Sequence, residues 1–370
     1  MSGGMPRLHR LCAELISFVI VYVHYHVFSV HRHRPGHSPA LALLGVSTVA
    51  GNQTVEKVTD NALRVLAAAG LPHVEVVAGA AKPLLRPAPL LCAEIHGETG
   101  LDGPLGGPVL PPAPHGPLPG KAAVVMFERI AAAHQRLKAA AGGGGGSGDC
   151  ASGGGTSGGG SGTEQPRVAL VATAALTNVA LLLALYPEVK DMIEIVIMGG
   201  CLGVGNTGAV MEFNIQTDPE AARIVFEAGV PLTMVPLEVT HTALATTSVL
   251  QRVKTHSPTP FLALMVDLLM FFADTYRTVF KFEDPPLHDP CAVAYVIAPQ
   301  LFKTELLRVD VETSSSLSAG QTVVDIWHQS TQPKNCTVCM EMDVARFWDL
   351  QIEAIHAADR HSPLNSSTAQ

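Results

Sequence analysis

The chain has 370 residues, 47% of them hydrophobic, enough to bury a large core as one domain or two. Its formal net charge of −8, with no Lys/Arg-rich face anywhere along the sequence, argues against a nucleic-acid partner. Seven scattered cysteines are an odd number without a disulfide framework, and they fit a reducing compartment.

Residues 1–38 differ in character from the rest and read as an atypical N-terminal segment. Leu15–Val23 is apolar apart from Ser17, but His24 and His26 end the run well short of the roughly 20 residues that span a bilayer. No membrane association is expected. Arg7 and Arg10 precede the run as in a signal peptide, yet no small-residue cleavage site follows. A cytoplasmic protein is expected, with organelle targeting left open. His24, His26, His31, His33 and His37 contain two HxH pairs, which on a strand each point one way, but no carboxylate or cysteine stands nearby to complete a metal site.

From residue 39 the pattern becomes regular α/β. Leu41–Val49 reads as a buried strand ending at Ala50-Gly51-Asn52, and Val55–Ala69 as a helix stopped by Gly70 and Pro72. Val74–Ala78 is the next strand. A Pro- and Gly-rich loop follows from Pro83 to Gly120, of a length that is usually functional or disordered. Lys121–Ala141 is a helix, after which a tract of Gly, Ser and Thr behaves as a flexible insertion over residues 142–165.

The alternation then resumes: strand Val168–Ala172, helix Asn178–Leu185, strand Ile193–Met198, helix Pro219–Ala228 and strand Leu232–Val235. A long helical region covers Pro260–Phe280, a helix Pro290–Ile297, late strands Leu306–Val311 and Thr337–Met342, and a last helix reaches Ile355. Residues 39–358 are thus one domain, with 359–370 a disordered tail. The fold class is α/β, a single open, mainly parallel sheet with helices on both faces. Cys336 and Cys339 have CxxC spacing but no second pair. On a strand their sulfurs face opposite sides of the sheet, which favours core packing over zinc.

Glu212-Phe213-Asn214 follows the buried-looking strand that ends in Gly199-Gly200, and in open α/β sheets ligands bind beyond the carboxyl ends of such strands. A glutamate accepts and an asparagine both donates and accepts, so Asn206, Glu212 and Asn214 match a ring of sugar hydroxyls. Asp218-Pro219-Glu220 is explained as a helix entry by Asp at N-cap and Pro at N1. Asp289-Pro290 shares that explanation, but the preceding His288 does not, and imidazole suits proton transfer near neutral pH. His96 stands in the long loop, and Asn52 is as readily a turn residue as a ligand. Gly200, Gly203 and Gly205 fall in the order GxxGxG with no helix start, which argues against a dinucleotide.

Six ordered motifs carry a resemblance: LLGVSTVAGN (Leu43 to Asn52), IHGETGLDG (Ile95 to Gly103), ATAALTNVALLL (Ala172 to Leu183), IVIMGG (Ile195 to Gly200), VMEFNIQTDPEAA (Val210 to Ala222) and PPLHDPCAVAY (Pro285 to Tyr295). From about Pro39 to the final helix the chain resembles the inosine-uridine-preferring nucleoside hydrolases. The resemblance implies that fold, calcium-assisted hydrolysis of ribonucleosides to ribose and free base, and a homodimer or homotetramer. It implies that Asn206 and Glu212 hold the 5′ end of the ribose and Asn214 its 2′/3′ side, with Met198 beneath the sugar and Asn52 and Phe213 in the same site. By the same resemblance Asp289 and the carbonyl of Thr173 are Ca2+ ligands, and His288 and His96 face the leaving base.

One departure matters. The family opens with a strand and an aspartate-rich DxDPGxDD loop, whereas here no Asp or Glu occurs between Glu14 and Glu56. Family spacing puts that loop near Val23–Ser29, and histidines there are poor ligands for calcium, which takes 6–8 oxygens. Ala174 also stands where the family usually has glycine. Either the first segment is a wrong gene model or splice form, the favoured reading, or the chain has lost hydrolysis and binds ribosides or a partner subunit. The chain as written is expected to be nearly inactive.

Overall fold

The computed structural model describes residues 25–31, 42–101, 110–142, 166–271, 273 and 276–366. The expected apolar run Leu15–Val23, His24, His33 and His37, Asp102 and residues 143–165 of the insertion lie outside these.

One sheet organises the described chain. Its strands are β1 (Tyr25–His31), β2 (Gly45–Thr48), β3 (Val76–Ala78), β4 (Val168–Ala172), β5 (Ile193–Met198), β6 (Leu232–Val235), β7 (Phe302–Leu307) and, after the small β8–β9 pair (Val309–Val311 and Thr322–Val324), β10 (Cys336–Met342). The order across the sheet is β3-β2-β1-β4-β5-β6-β10-β7. β2 and β3 are parallel, as are β4, β5, β6 and β10 in succession, and edge strand β7 is antiparallel.

The sheet alternates because both faces are covered. Val168, Leu170, Ala172, Ile193, Ile195 and Ile197 join one apolar cluster, with α3 (Ala122–Gly142), α4 (Thr177–Leu185) and α6 (Pro219–Phe226). Ala169, Val171, Val196 and Met198 point the other way, against α1 (Val55–Ala68), α9 (Pro260–Phe271), α10 (Asp289–Ile297) and α11 (Val344–Asp359). Cys336 and Cys339 fall one in each cluster, the opposite-face placement that their spacing requires.

Several boundaries differ from expectation. β2 and β3 are shorter than Leu41–Val49 and Val74–Ala78, because pairing begins only where the neighbouring strands reach them. Among its described residues the loop 83–120 holds a helical turn, α2 (Ala93–His96), and Leu118 bridges back to Val77. Of the helix expected over Pro260–Phe280, Pro260–Phe271 and Ala273 are α-helical, whereas Tyr276–Phe280 forms a wider π turn, a geometry frequent at functional sites. An unforeseen helix, α8 (Thr247–Lys254), is capped by Thr246 accepting from the Val249 N–H. Residues 360–366, expected as disordered tail, are packed: the Ser362 hydroxyl donates to Ala68 O, and Asn365 Oδ1 accepts from the Phe261 N–H.

β1 requires a larger correction. It pairs with β2 and β4 but runs antiparallel to both, with Tyr25 opposite Thr48 and His26 opposite Ala172. Its first residues therefore lie beside the carboxyl ends of its neighbours. Tyr25–Ser29, which family spacing put in a loop after a strand, are themselves strand.

Asp218 does more than cap α6. One oxygen accepts from the Ala221 N–H, while the other accepts from the Thr177 hydroxyl and the Leu84 N–H, tying α4, α6 and the long loop together in a fully buried spot. Asp218→Ala is expected to lower stability by about 2 kcal/mol, the loss of a cap plus stranded partners, and urea denaturation measures it.

Candidate active site

The carboxyl ends of β2 and β5 open onto one cavity. It is lined by Asn52, Cys92, His96, Met198, Asn206, Glu212, Phe213, Asn214, Tyr276, Phe280, His288 and Asp289 among others. Nine of the side chains singled out from the sequence therefore meet in one place. Thr173 stands behind them, fully buried after β4.

The cavity floor is built by local backbone chemistry. β5 ends in Gly199-Gly200. Gly200 takes φ +76°, and a Cβ there would lie 2.8 Å from Met234 Sδ, so only glycine permits this turn. Glu212 is the N-cap of α5 (Phe213–Thr217): Oε1 accepts from the Asn214 N–H at 3.0 Å, and Oε2 from the Gly200 and Ile215 N–H groups at 3.0 and 3.2 Å. A carboxylate has about four acceptor positions, so one remains. Burial pushes the Glu212 carboxyl up to about 7, against the pull of those three N–H donors. Asn206 Oδ1 accepts from the Phe213 N–H at 2.9 Å, fixing the loop before α5.

Asn214 is held by its amide nitrogen, which donates to Met198 O at 3.0 Å and Thr173 O at 3.2 Å. That orientation commits Oδ1 to the other side, where it is buried and no donor among the described residues reaches it. Asn52, only 6% exposed, likewise presents a buried Oδ1 with no donor.

The opposite wall is aromatic. His288, just before α10, has Nδ1 2.7 Å from the Thr240 hydroxyl and Nε2 2.6 Å from the Tyr276 hydroxyl. Thr240 donates onward to Leu237 O, which assigns the Nδ1 proton to His288 and leaves Nε2 accepting from Tyr276. Tyr276 lies 5.2 Å from Phe280 and 6.0 Å from Phe282 between ring centroids, and His241 packs edge-on to His288 at 5.4 Å. Burial holds His241 below the usual imidazole range and Tyr276 above the usual phenol range, with Asp289, Cys92 and Glu212 adding to the latter. The Cys92 thiol is pushed up to about 12 by burial and then by Glu94, so it is no nucleophile.

Tyr276, Thr240 and Cys92 were not among the residues singled out from the sequence. Tyr276 falls inside Pro260–Phe280, which reads as continuous helix. Only the structure reveals that it lines the cavity.

The donor set does not fit calcium. Of the two ligands that the resemblance implied, Asp289 is a single carboxyl and Thr173 O already accepts from Asn214. Glu212 is committed to backbone donors. No group of three or more His, Cys, Asp or Glu side chains among the described residues converges on one point, short of the 6–8 oxygens that calcium takes.

The profile of a family described as inosine-uridine preferring nucleoside hydrolase matches residues 31–349. A probable ribonucleoside hydrolase of Dictyostelium discoideum is 43% identical over 333 residues, covering 88% of this chain and 90% of its own length. The pyrimidine-specific ribonucleoside hydrolase RihA of Shewanella oneidensis is 38% identical over 336 residues, covering 87% and 94%. Among solved structures, the purine-preferring ribonucleoside hydrolase from Gardnerella vaginalis aligns with a TM-score of 0.73 at 25% identity, covering 95% of this chain and 96% of that one.

Proposed function

The chain belongs to the inosine-uridine preferring nucleoside hydrolase family, and from that premise we propose that its cavity seats a ribonucleoside and that its reaction is hydrolysis of the N-glycosidic bond to ribose and free base. The observation that carries this is the pair of buried, donor-less amide oxygens, Asn52 Oδ1 and Asn214 Oδ1, in one cavity. Each such acceptor costs about 1–3 kcal/mol left unpaired, and a sugar hydroxyl supplies the missing donor. The ribose then lies over Met198 with Asn206 and Glu212 toward its 5′ end, and the base faces His96, Phe280 and the Tyr276–His288 pair.

Cleavage of a ribosyl bond passes through an oxocarbenium-like state and leaves an anionic base, so a proton on the base side lowers the barrier. Tyr276 and His288 are arranged to carry it. With the imidazole protonated, Nε2–H donates to the phenol oxygen and the phenol proton passes to the base, leaving neutral His288. Tyr276→Phe is expected to slow turnover about 10- to 100-fold while leaving the affinity for ribose unchanged, as steady-state kinetics and calorimetry read together.

Reducing-sugar release from uridine and inosine tests the reaction directly. Release supports hydrolysis. A second reading, a riboside-binding protein without turnover, is favoured by the absence of any Asp or Glu from residue 15 to residue 55, where the family keeps its water-activating carboxylates. Heat stabilisation by ribose analogues with no sugar released selects that reading, and neither binding nor release removes both. Because the donor set does not fit calcium, EDTA is expected to leave riboside affinity within about twofold of its starting value; a calorimetric titration showing a hundredfold loss on chelation would contradict this.

A further inference from the structure

The loop that brings His96 to the cavity is held by a row of donors on a single helix face. Gln53, just before α1, donates from Nε2 to Gly97 O at 2.9 Å. One turn on, Lys57 donates to Glu98 O and pairs with the Glu98 carboxylate at 2.8 Å. Asn61 Nδ2 donates to Thr99 O at 2.8 Å, and Arg64 reaches Leu110 O at 2.6 Å and Pro111 O at 3.0 Å. Steps of four, four and three residues put these side chains on one face, and they meet carbonyls in the order in which the loop passes.

The row is more than helix solvation. Gln53 and Asn61 are each only 4% exposed, so their amides are committed to the loop. Gly100 completes the fit: it takes φ +91°, and a Cβ there would lie 3.1 Å from Asn61 Nδ2 and 3.3 Å from Gln53 Cγ. Leu101 and Leu110, on either side of the segment outside the described residues, are buried in the cluster that also takes Val58, Ala62 and Val65 of α1. The amide of Gln53 is also one residue from Asn52, whose Oδ1 faces the cavity. Adjacent residues thus meet the two ends of the site: Asn52 the sugar seat, and Gln53 the loop carrying Cys92, Ile95 and His96 along the base-side wall.

We propose that this face of α1 is a positioning device for the base-side wall, with Gln53 and Asn61 as its buried positioning residues, so that it sets how the base of a ribonucleoside is gripped without touching the ribose. The proposal rests on the ribonucleoside reading of the cavity. Neither residue contacts the substrate; both act through the backbone at Gly97 and Thr99, next to His96.

The test uses isosteric variants that keep volume and remove the donor, Gln53→Glu and Asn61→Asp, with Lys57→Ala as a milder variant at the exposed rim. Calorimetry at pH 8 compares uridine or inosine with ribose on the full chain. The donor-less variants are expected to lose about tenfold in ribonucleoside affinity, near 1.4 kcal/mol, with ribose affinity within twofold. Combined with His96→Ala, Gln53→Glu is expected to add little to the loss, because both act on one group. Equal losses for ribose and ribonucleoside, or full additivity with His96→Ala, overturn the proposal. So does a variant that no longer folds, unless Lys57→Ala shows the same ribonucleoside-only loss. A wild-type protein that binds no ribose fails earlier, at the cavity reading itself, and the two failures are distinguished by that control.

Discussion

Replacing Asn214 by alanine is expected to weaken ribose binding by at least about a hundredfold, near 2.7 kcal/mol, more than any other single truncation in the cavity. The reason is preorganisation. The amide nitrogen is already spent on Met198 O and Thr173 O, so Asn214 cannot flip and Oδ1 is fixed as a buried acceptor before any ligand arrives. A hydroxyl that binds there relieves an unpaired acceptor and meets little reorganisation, and a hydrogen bond formed under those conditions sits at the upper end of the usual range. Asn214→Asp separates the two roles of the side chain. It keeps an oxygen toward the sugar but turns another toward Met198 O, so it is expected to lose stability as well as affinity. Calorimetric titration with ribose, alongside urea denaturation, reads both effects. An alanine variant that binds within threefold of wild type would remove Asn214 from the sugar seat.

Strands β4, β5 and β6 could be read to the residue because burial on both faces leaves a short, mostly apolar run in the sequence, interrupted only by Glu194 and Thr233 and ending at Thr173, Gly199 and Pro236. The polar residues just beyond those strands could be found for the same reason, since the carboxyl ends of a parallel sheet are where an open α/β fold places its ligands. Strand direction leaves no comparable trace. Seven residues of β1 read the same whether they run with or against their neighbours, and only the pairing of Tyr25 with Thr48 reveals that the strand is reversed.

Tyr276 was hidden for a different reason: Pro260–Phe280 reads as one helix, whereas Tyr276–Phe280 is a π turn whose first residue lines the cavity. Thr240 was hidden because its role exists only through His288, 48 residues away. Asp218 was half legible. The Asp-Pro pair announced the cap, but the bonds to Thr177 and Leu84 join segments whose proximity no local pattern encodes.

Glu212→Gln is expected to change how stability depends on pH by about 3 kcal/mol. Burial raises the Glu212 carboxyl from an ordinary 4.5 to about 7 in the folded chain, where it is 2% exposed. Between those two values the folded protein holds a proton that the unfolded chain has released, so stability falls as pH rises through this window and levels off above about 7. Below the unfolded value both states are protonated and the group contributes no slope.

Glutamine cannot ionise, so the variant lacks this slope. Relative to wild type it should therefore gain between pH 4.5 and 8, even though its amide oxygen cannot serve all three N–H groups that the carboxylate accepts from Gly200, Asn214 and Ile215. The unserved N–H costs the variant a constant amount at every pH and shifts its curve without tilting it. Urea denaturation of both proteins at half-unit pH intervals separates the two effects. Parallel curves would mean that the three backbone donors outweigh burial and that Glu212 stays ionised throughout, a permanent anion in the cavity floor and not a group that titrates near neutrality.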